Sequence, residues 1–334
     1  MSSNQSNCRM TRVKKLGKRT ALGLACALWS SIAGADNQIL MLLSSDAPVY
    51  RAIVKSVNTE LSETLINNGF EINSLTLDAQ TGTAPPTFDL QRPSLIIAVG
   101  SKATTYINTT QVSAAVLSVF ITQDSWHKIQ MSGTFRHNQT AIYLDQPYQR
   151  FTQLCSLLPV NVRSLGAIFG PQSLDKFKAL EHFSNARGLH LNARLLHKDD
   201  NPISVLEPLF TKSDLFLALP DESVFNQAIA KWILILGIKN KIPVIGFSRA
   251  YTDAGALAAL HSTPQDTGKD ASDWVKQWLR NPGQALPPPR FNRIFTLRTN
   301  PQVARSLGIA ELNTQNLQQS LIQLEQGNAL LNAN

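Results

Sequence analysis

Six short stretches carry most of the side chains with chemistry to offer. They are Ser44-Ser45-Asp46, Gly100-Ser101-Lys102-Ala103, Thr122-Gln123-Asp124, Gly170-Pro171-Gln172-Ser173, Pro220-Asp221-Glu222 and Ser248-Arg249. Each directly follows a short apolar run. The residue types are those of non-covalent recognition of a small charged molecule. Gly100 would let a ligand approach the backbone closely. Free N–H groups where Gly100–Ala103 opens a helix suit a carboxylate or another anion. Asp221 can accept from an amino group, and Arg249 can hold a carboxylate with its two-pronged guanidinium. Each feature also has a plainer reading. Gly100-Ser101 can be a tight turn with an N-cap, Asp221 the cap of a helix starting near Ser223, and Arg249 a solvated loop side chain. Trp126 and Tyr251 either stack on a planar ligand or pack against the protein.

Catalytic chemistry finds little support. His127, His137, His182, His190, His197 and His261 show no spacing that would place two of them on one helix face toward a metal. There is no strained Gly-x-Ser-x-Gly elbow for a nucleophile. His261, Ser262 and Asp266 lie too close in sequence to make a triad; Thr263 and Asp266 read better as the capped start of a helix over 263–280. No phosphate-binding or dinucleotide-binding glycine loop is present. No catalytic residue, metal site or cofactor is expected.

The elements that must position these stretches are legible as a repeat of strand and helix. Apolar runs occur at 39–43, 71–77, 95–99, 115–121, 141–144, 165–169, 189–196, 215–219, 244–247 and 256–260. Most are near-continuously apolar, which suits strands buried on both faces of a parallel sheet. Amphipathic stretches separate them. In 48–68, Ile53, Val57, Leu61, Leu65 and Ile66 recur at helical spacing. Further helices are expected over 149–158, 173–187 and 223–239. Alternation of this kind predicts an α/β protein with right-handed crossovers.

With 334 residues the chain exceeds what one core usually serves, so two domains are expected. The pattern predicts two Rossmann-like, doubly wound lobes. Lobe 1 is expected to hold 36–142 and 256–286, lobe 2 to hold 143–255 and 287–310, and a C-terminal helical extension to follow over 311–334. The chain would then cross between lobes three times: at Leu144–Pro147, at the polar elbow Ser248–Gly255 and at Pro287-Pro288-Pro289. Three crossings make a hinge, and the carboxyl ends of both sheets would face the cleft between the lobes, where open α/β folds bind ligands.

The first 35 residues differ from the rest. Arg9, Arg12, Lys14, Lys15, Lys18 and Arg19 precede the apolar stretch Ala21–Ile32, which ends at Ala33-Gly34-Ala35. These are the three parts of a cleaved secretory leader, with cleavage expected near Ala35. Its apolar core is short of the roughly 20 residues a spanning helix needs. Gly23-Leu24-Ala25-Cys26 is a poor lipidation signal. The formal net charge of +8 falls to +2 once the leader's basic residues are removed, leaving 25 basic against 23 acidic groups. That excludes a nucleic-acid binder, which needs a basic patch that survives maturation. Cys155 is then the only cysteine, and it reads as a small buried hydrophobe. A periplasmic monomer, not embedded in the membrane, is expected.

Several stretches, in order, resemble the substrate-binding proteins of ABC transporters of the type I periplasmic kind, and more narrowly a subfamily with members linked to tryptophan and other aromatic amino acids. They are Ile39–Pro48, Ile97–Ala103, Leu157–Pro159 with Leu165–Phe169, Leu217–Asp221, Ile242–Ser248 with Ala254–Ala258, and Pro289–Phe291 leading to Arg305–Ile309. The resemblance covers roughly 39 to 310. It implies two α/β lobes on a three-segment hinge. It also implies capture of a small molecule, an amino acid among the candidates, by hinge closure. The site would draw on Ser45, Asp46, Gly100–Ala103, Thr122–Asp124, Gln172, Ser173, Asp221, Glu222, Ser248 and Arg249. The implied partner is an inner-membrane ABC permease. A sensory module of the same fold, reporting occupancy to a membrane receptor without transport, is the alternative. Two departures stand out. Thr122-Gln123-Asp124 replaces the family's Asp-Pro turn, and His261-Ser262-Thr263 replaces an aspartate–aromatic pair.

Overall fold

The computed structural model describes residues 36–85, 89–133 and 138–331. The stretch 1–35 in which a leader is expected, with Cys8 and Cys26, lies outside the described residues, as does His137. Lobe 1 begins with β1 (Asp36–Leu43), α1 (Pro48–Asn68), β2 (Glu71–Thr76), β3 (Pro93–Val99), α2 (Ser101–Thr109), β4 (Ala115–Ile121), α3 (Gln123–Ser132) and β5 (Gln139–Tyr143). The chain then builds lobe 2. Its elements are α4 (Tyr148–Leu157), β6 (Ser164–Phe169), α5 (Leu174–Asn185), β7 (His190–Leu195), α6 (Pro202–Lys212), β8 (Leu215–Leu217), α7 (Gln227–Asn240), β9 (Val244–Gly246), α8 (Arg249–Asp253) and β10 (Ala258–His261). It returns to lobe 1 for α9 (Pro264–Trp278) and β11 (Arg290–Phe291). It ends in lobe 2 with β12 (Thr296–Thr299), α10 (Pro301–Ser306) and α11 (Thr314–Leu331).

Each lobe has one six-stranded sheet, ordered β2-β1-β3-β4-β5-β11 in lobe 1 and β7-β6-β8-β9-β10-β12 in lobe 2. All neighbours are parallel except β10 and β12. The predicted runs become these strands because they are apolar on both faces: Ile39, Met41, Ile97 and Leu117 face α1 and α9, while Leu40, Leu42, Ile96 and Val116 face α2. The stripe Ile53, Val57, Leu61, Leu65 of α1 is buried as its spacing demands. Thr263 and Asp266 form the expected reciprocal cap at the start of α9.

The lobe boundaries differ from those the sequence predicts. Ser248–Gly255 is not a crossing. It contains the short helix α8, and β10 lies beside β9 in lobe 2, with Ala258 opposite Ile245 and Ala259 opposite Gly246. A parallel neighbour needs a connection of about a dozen residues, and Phe247–Leu257 supplies it. The third crossing is also displaced. Arg290-Phe291 extends the lobe 1 sheet beside Ile142 and Tyr143, because Arg290 is clamped by the buried Asp270 carboxylate at 2.7 and 2.8 Å and Phe291 packs edge-on against Tyr143. The crossings therefore fall at 144–147, 262–263 and 292–295. The C-terminal helix is no appendage: Leu321 is fully buried in the core of lobe 2.

Candidate functional site

The cavity between the lobes, about 380 Å³, sits against the first crossing. Lobe 1 contributes the end of β4 and the start of α3, through Thr122, Gln123 and Asp124, together with Phe291 of β11. The first crossing contributes Asp145, Gln146 and Pro147. Lobe 2 contributes Tyr148 and Gln149 of α4, Lys176, Ala179 and Phe183 of α5, and Pro220, Asp221 and Glu222 after β8. Its size is that of a small-molecule site.

The lobe 1 wall is aimed by a local irregularity. Phe120 adopts φ +55°, and the register between β4 and β5 slips between Val119 and Ile121. A bulge of this kind bends a strand end and re-aims the residues beyond it, and its backbone strain is the sort found at functional sites. Thr122 then caps α3, accepting from the Ser125 N–H at 3.2 Å. The Gln123 N–H donates to Asp145 Oδ2 at 2.6 Å, tying the start of α3 to the first crossing.

Three polar contacts span the cavity from α3 to lobe 2. Lys176 Nζ lies 2.5 Å from Asp124 Oδ2 and also donates to the Pro220 carbonyl at 3.2 Å. Glu222 accepts from the Ser125 hydroxyl at 3.3 Å and pairs with Lys128 at 3.5 Å. Among the described residues, four carboxylates line the space against one lysine, so its field favours a cation. The four are not equivalent. Burial works against charge on Asp221. However, the Gly170 N–H and the hydroxyls of Ser173 and Ser223 bond to it and hold its carboxyl below the usual range. Its two oxygens are taken by Gly170 N at 2.9 Å and by Ser223 N and Oγ at 3.1 and 2.6 Å. That clasp needs glycine at 170, where a Cβ would fall 1.8 Å from Ser223 Oγ. Asp145 is the opposite case. Burial pushes its carboxyl up to about 6; the Gln123 N–H and Lys176 oppose this, and the charges of Asp124 and Glu222 reinforce it. Burial, with Asp145, Asp124 and Asp221 nearby, also pushes the Tyr148 phenol up, so it faces the cavity as a neutral hydroxyl.

Of the stretches singled out in the sequence, the fold brings Thr122, Gln123, Asp124, Asp221 and Glu222 together at this cavity. Ser173 stands behind Asp221, and Gln172 is exposed beside it. Ser45, Asp46, Gly100, Ser101, Lys102 and Ala103 stay at the ends of β1 and β3, away from the cavity lining. Gly100 has a local reason for its φ of +89°: a Cβ would meet Ser44 Oγ at 2.6 Å, and Ser44 Oγ accepts from the Ala103 N–H at 3.0 Å. Asp46 pairs with Arg51 at 2.8 Å. Ser248 precedes α8, and Arg249 points outward to Asp253 at 3.2 Å. Trp126 and Tyr251 are core residues, 4% and 6% exposed. Sequence reasoning missed Asp145, Gln146, Tyr148, Lys176, Phe183 and Phe291. The signal for the first two was present, since a polar crossing between two lobes lies where the cleft must close. Nothing in the sequence marks Lys176 among the other lysines.

The family described as ABC transporter substrate binding protein matches residues 47–318. The chain belongs to the ABC transporter substrate-binding protein family. The family is one of extracytoplasmic binding proteins that pass a small molecule to an ABC permease, and it is not enzymatic. Solved structures of the same fold include a ligand-free, open substrate-binding protein with adhesive properties, CD0873 from Clostridium difficile. It is 16% identical, with 84% of this chain and 97% of that one covered and a TM-score of 0.65. Another is an ABC domain from Streptococcus pneumonia in complex with L-Trp, at 16% identity, 84% and 98% coverage and a TM-score of 0.53. A third is a conserved domain protein from Vibrio cholerae, at 18% identity, 83% and 96% coverage and a TM-score of 0.51. No curated protein sequence matches this substrate-binding protein. Among its described residues no helix is long and apolar enough to cross a membrane.

Proposed function

We propose that this substrate-binding protein is exported to the periplasm and captures a small ammonium compound with an apolar body, best an aromatic amino acid, in the cavity at its crossings. Asp145 carries this reading. It is a half-buried carboxylate lining the cavity, and among the described residues no basic side chain reaches it at ion-pair distance; Lys176 acts on it from further off. Charge on a carboxylate partly withdrawn from water and without an ionic partner is costly, so a cation arriving there is favoured. The amino group would lie on Asp145 with Glu222 nearby. The ligand carboxylate would take Lys176 from Asp124, and the side chain would fill the space between Tyr148, Phe183 and Phe291.

Walls from both lobes mean that full contact exists only when the lobes are together. Binding then shifts the protein toward the closed form, which the permease recognises. Calorimetry with L-tryptophan, tryptamine and indole-3-acetate tests the charge assignment. L-Tryptophan should bind, tryptamine should keep part of the affinity, and indole-3-acetate should lose nearly all of it. Binding of indole-3-acetate as tight as that of tryptamine would refute the reading.

A further inference from the structure

One buried arginine touches the hinge in two of its three strands and reaches the third through a cavity residue. Arg150, 3% exposed, sits in the first turn of α4. Its Nη1 donates to Gln146 Oε1 in the first crossing and to the Asn292 carbonyl in the third, at 3.2 Å. Its guanidinium carbon lies 3.9 Å above the centre of the Phe295 ring, also in the third crossing. Gln146, which lines the ligand cavity, passes the contact on. Its Nε2 donates to Ser262 Oγ in the second crossing at 3.0 Å, and that hydroxyl donates to the Ile294 carbonyl at 3.0 Å.

Among the described residues the charge of Arg150 is met from one place. Glu325 on α11 takes Nε and Nη2 in a two-pronged pair at 2.5 and 2.8 Å. The same helix grips the third crossing again through Gln318. The Gln318 amide donates to the Phe295 carbonyl at 3.0 Å and accepts from the Leu297 N–H at 3.1 Å. Glu325 lies beyond the stretch 47–318 that matches the family. A guanidinium this deeply buried is tolerated only with a carboxylate beside it. The geometry of the crossings therefore depends on the docking of α11.

We infer that Arg150 is the positioning residue of the hinge, that Glu325 makes α11 a strap across it, and that the strap sets Gln146 in the ligand cavity. The inference rests on reading the cleft as one that opens and closes about these crossings, but its test needs no ligand. Hydrogen exchange of the full chain, followed by mass spectrometry, reads the amides at 144–146, 262–263 and 292–295 directly. Glu325→Ala should speed exchange at all three crossings by about tenfold, through easier local opening. The strands β6 and β8 in the core of lobe 2 should be unchanged, and Glu325→Gln should give a smaller effect.

If Glu325→Ala fails to fold, the double variant Arg150→Met with Glu325→Leu removes the ties while leaving an apolar contact in place, and the same pattern is expected of it. Exchange at the crossings equal to that of the unaltered protein overturns the inference. So does a rise spread evenly through lobe 2, which would show α11 to be ordinary packing. Because no ligand enters the measurement, a failure to find one leaves this result standing.

Discussion

Replacing Asp145 by asparagine should make the protein more stable and worse at binding. The Asp145 carboxyl is raised from the ordinary 3.8 to about 6 because it is buried among other carboxylates. A rise of this size corresponds to about 3 kcal/mol between its two protonation states. The side chain keeps some access to water through the cavity, so about 2 kcal/mol is the figure to carry forward. Proton linkage fixes the sign. Between pH 3.8 and about 6 the folded protein holds a proton that the unfolded chain has lost. Stability contributed by neutral Asp145 is therefore fully present below about pH 4 and is lost as pH rises to about 6. Asparagine never ionises, and its amide oxygen can still accept from the Gln123 N–H that now bonds Asp145 Oδ2 at 2.6 Å. The advantage of Asp145→Asn should thus be slight at pH 4 and about 2 kcal/mol at pH 7.5, a rise in Tm of roughly 4 °C for a chain of this size. Thermal unfolding of both proteins at the two pH values measures it, and the difference of differences cancels the other carboxylates. An equal gain at both pH values, or a less stable variant at pH 7.5, would refute the assignment. Loss of L-tryptophan affinity in the same variant would complete the trade of function against stability.

Lys176→Met removes the only base among the described residues that line the cavity. Affinity for L-tryptophan should fall at least about tenfold by calorimetry, and the Asp145 titration followed by NMR should move above 6, because Lys176 now lowers it. Arg249→Ala should leave both affinity and stability nearly unchanged, within about 0.5 kcal/mol, since that side chain points outward to Asp253. Gly100→Ala should destabilise by about 1–3 kcal/mol in denaturant titration, given its φ of +89° and the 2.6 Å approach to Ser44 Oγ, with ligand affinity preserved in the folded fraction. Cys155, whose thiol burial pushes up to about 12, should resist thiol reagents in the native protein and react only on unfolding.

Much of this architecture is written locally. A strand covered on both faces needs an unbroken apolar run, and a helix covered on one face needs its stripe. Ile39–Leu43, Leu95–Val99 and the Ile53–Leu65 stripe therefore declare themselves before any contact is known. So do the capped start of α9 at Thr263 and the turn glycine at 100. The polar residues at strand ends are equally visible, and Thr122–Asp124 with Asp221 and Glu222 do meet at the cavity. Where the chain changes lobe is a different kind of fact. The run at 256–260 would fit either sheet by composition, and only pairing with Ile245 and Gly246 decides for lobe 2. Arg290-Phe291 has too few residues to signal a strand, and its place rests on the distant Asp270 and Tyr143.

The site divides in the same way. Asp145 is one of 23 acidic residues in the sequence; its elevated carboxyl arises from burial and from Asp124 and Glu222, which come from different lobes. Lys176 is distinguished only by what the fold brings to it, above all the 2.5 Å approach to Asp124 across the cleft. Arg150 meets Glu325, 175 residues away, at the point where the hinge strands converge. Residue type and local periodicity set which groups are available and which segments bury themselves. Their ionisation, pairing and shared work depend on charges and desolvation that exist only once distant segments are packed together.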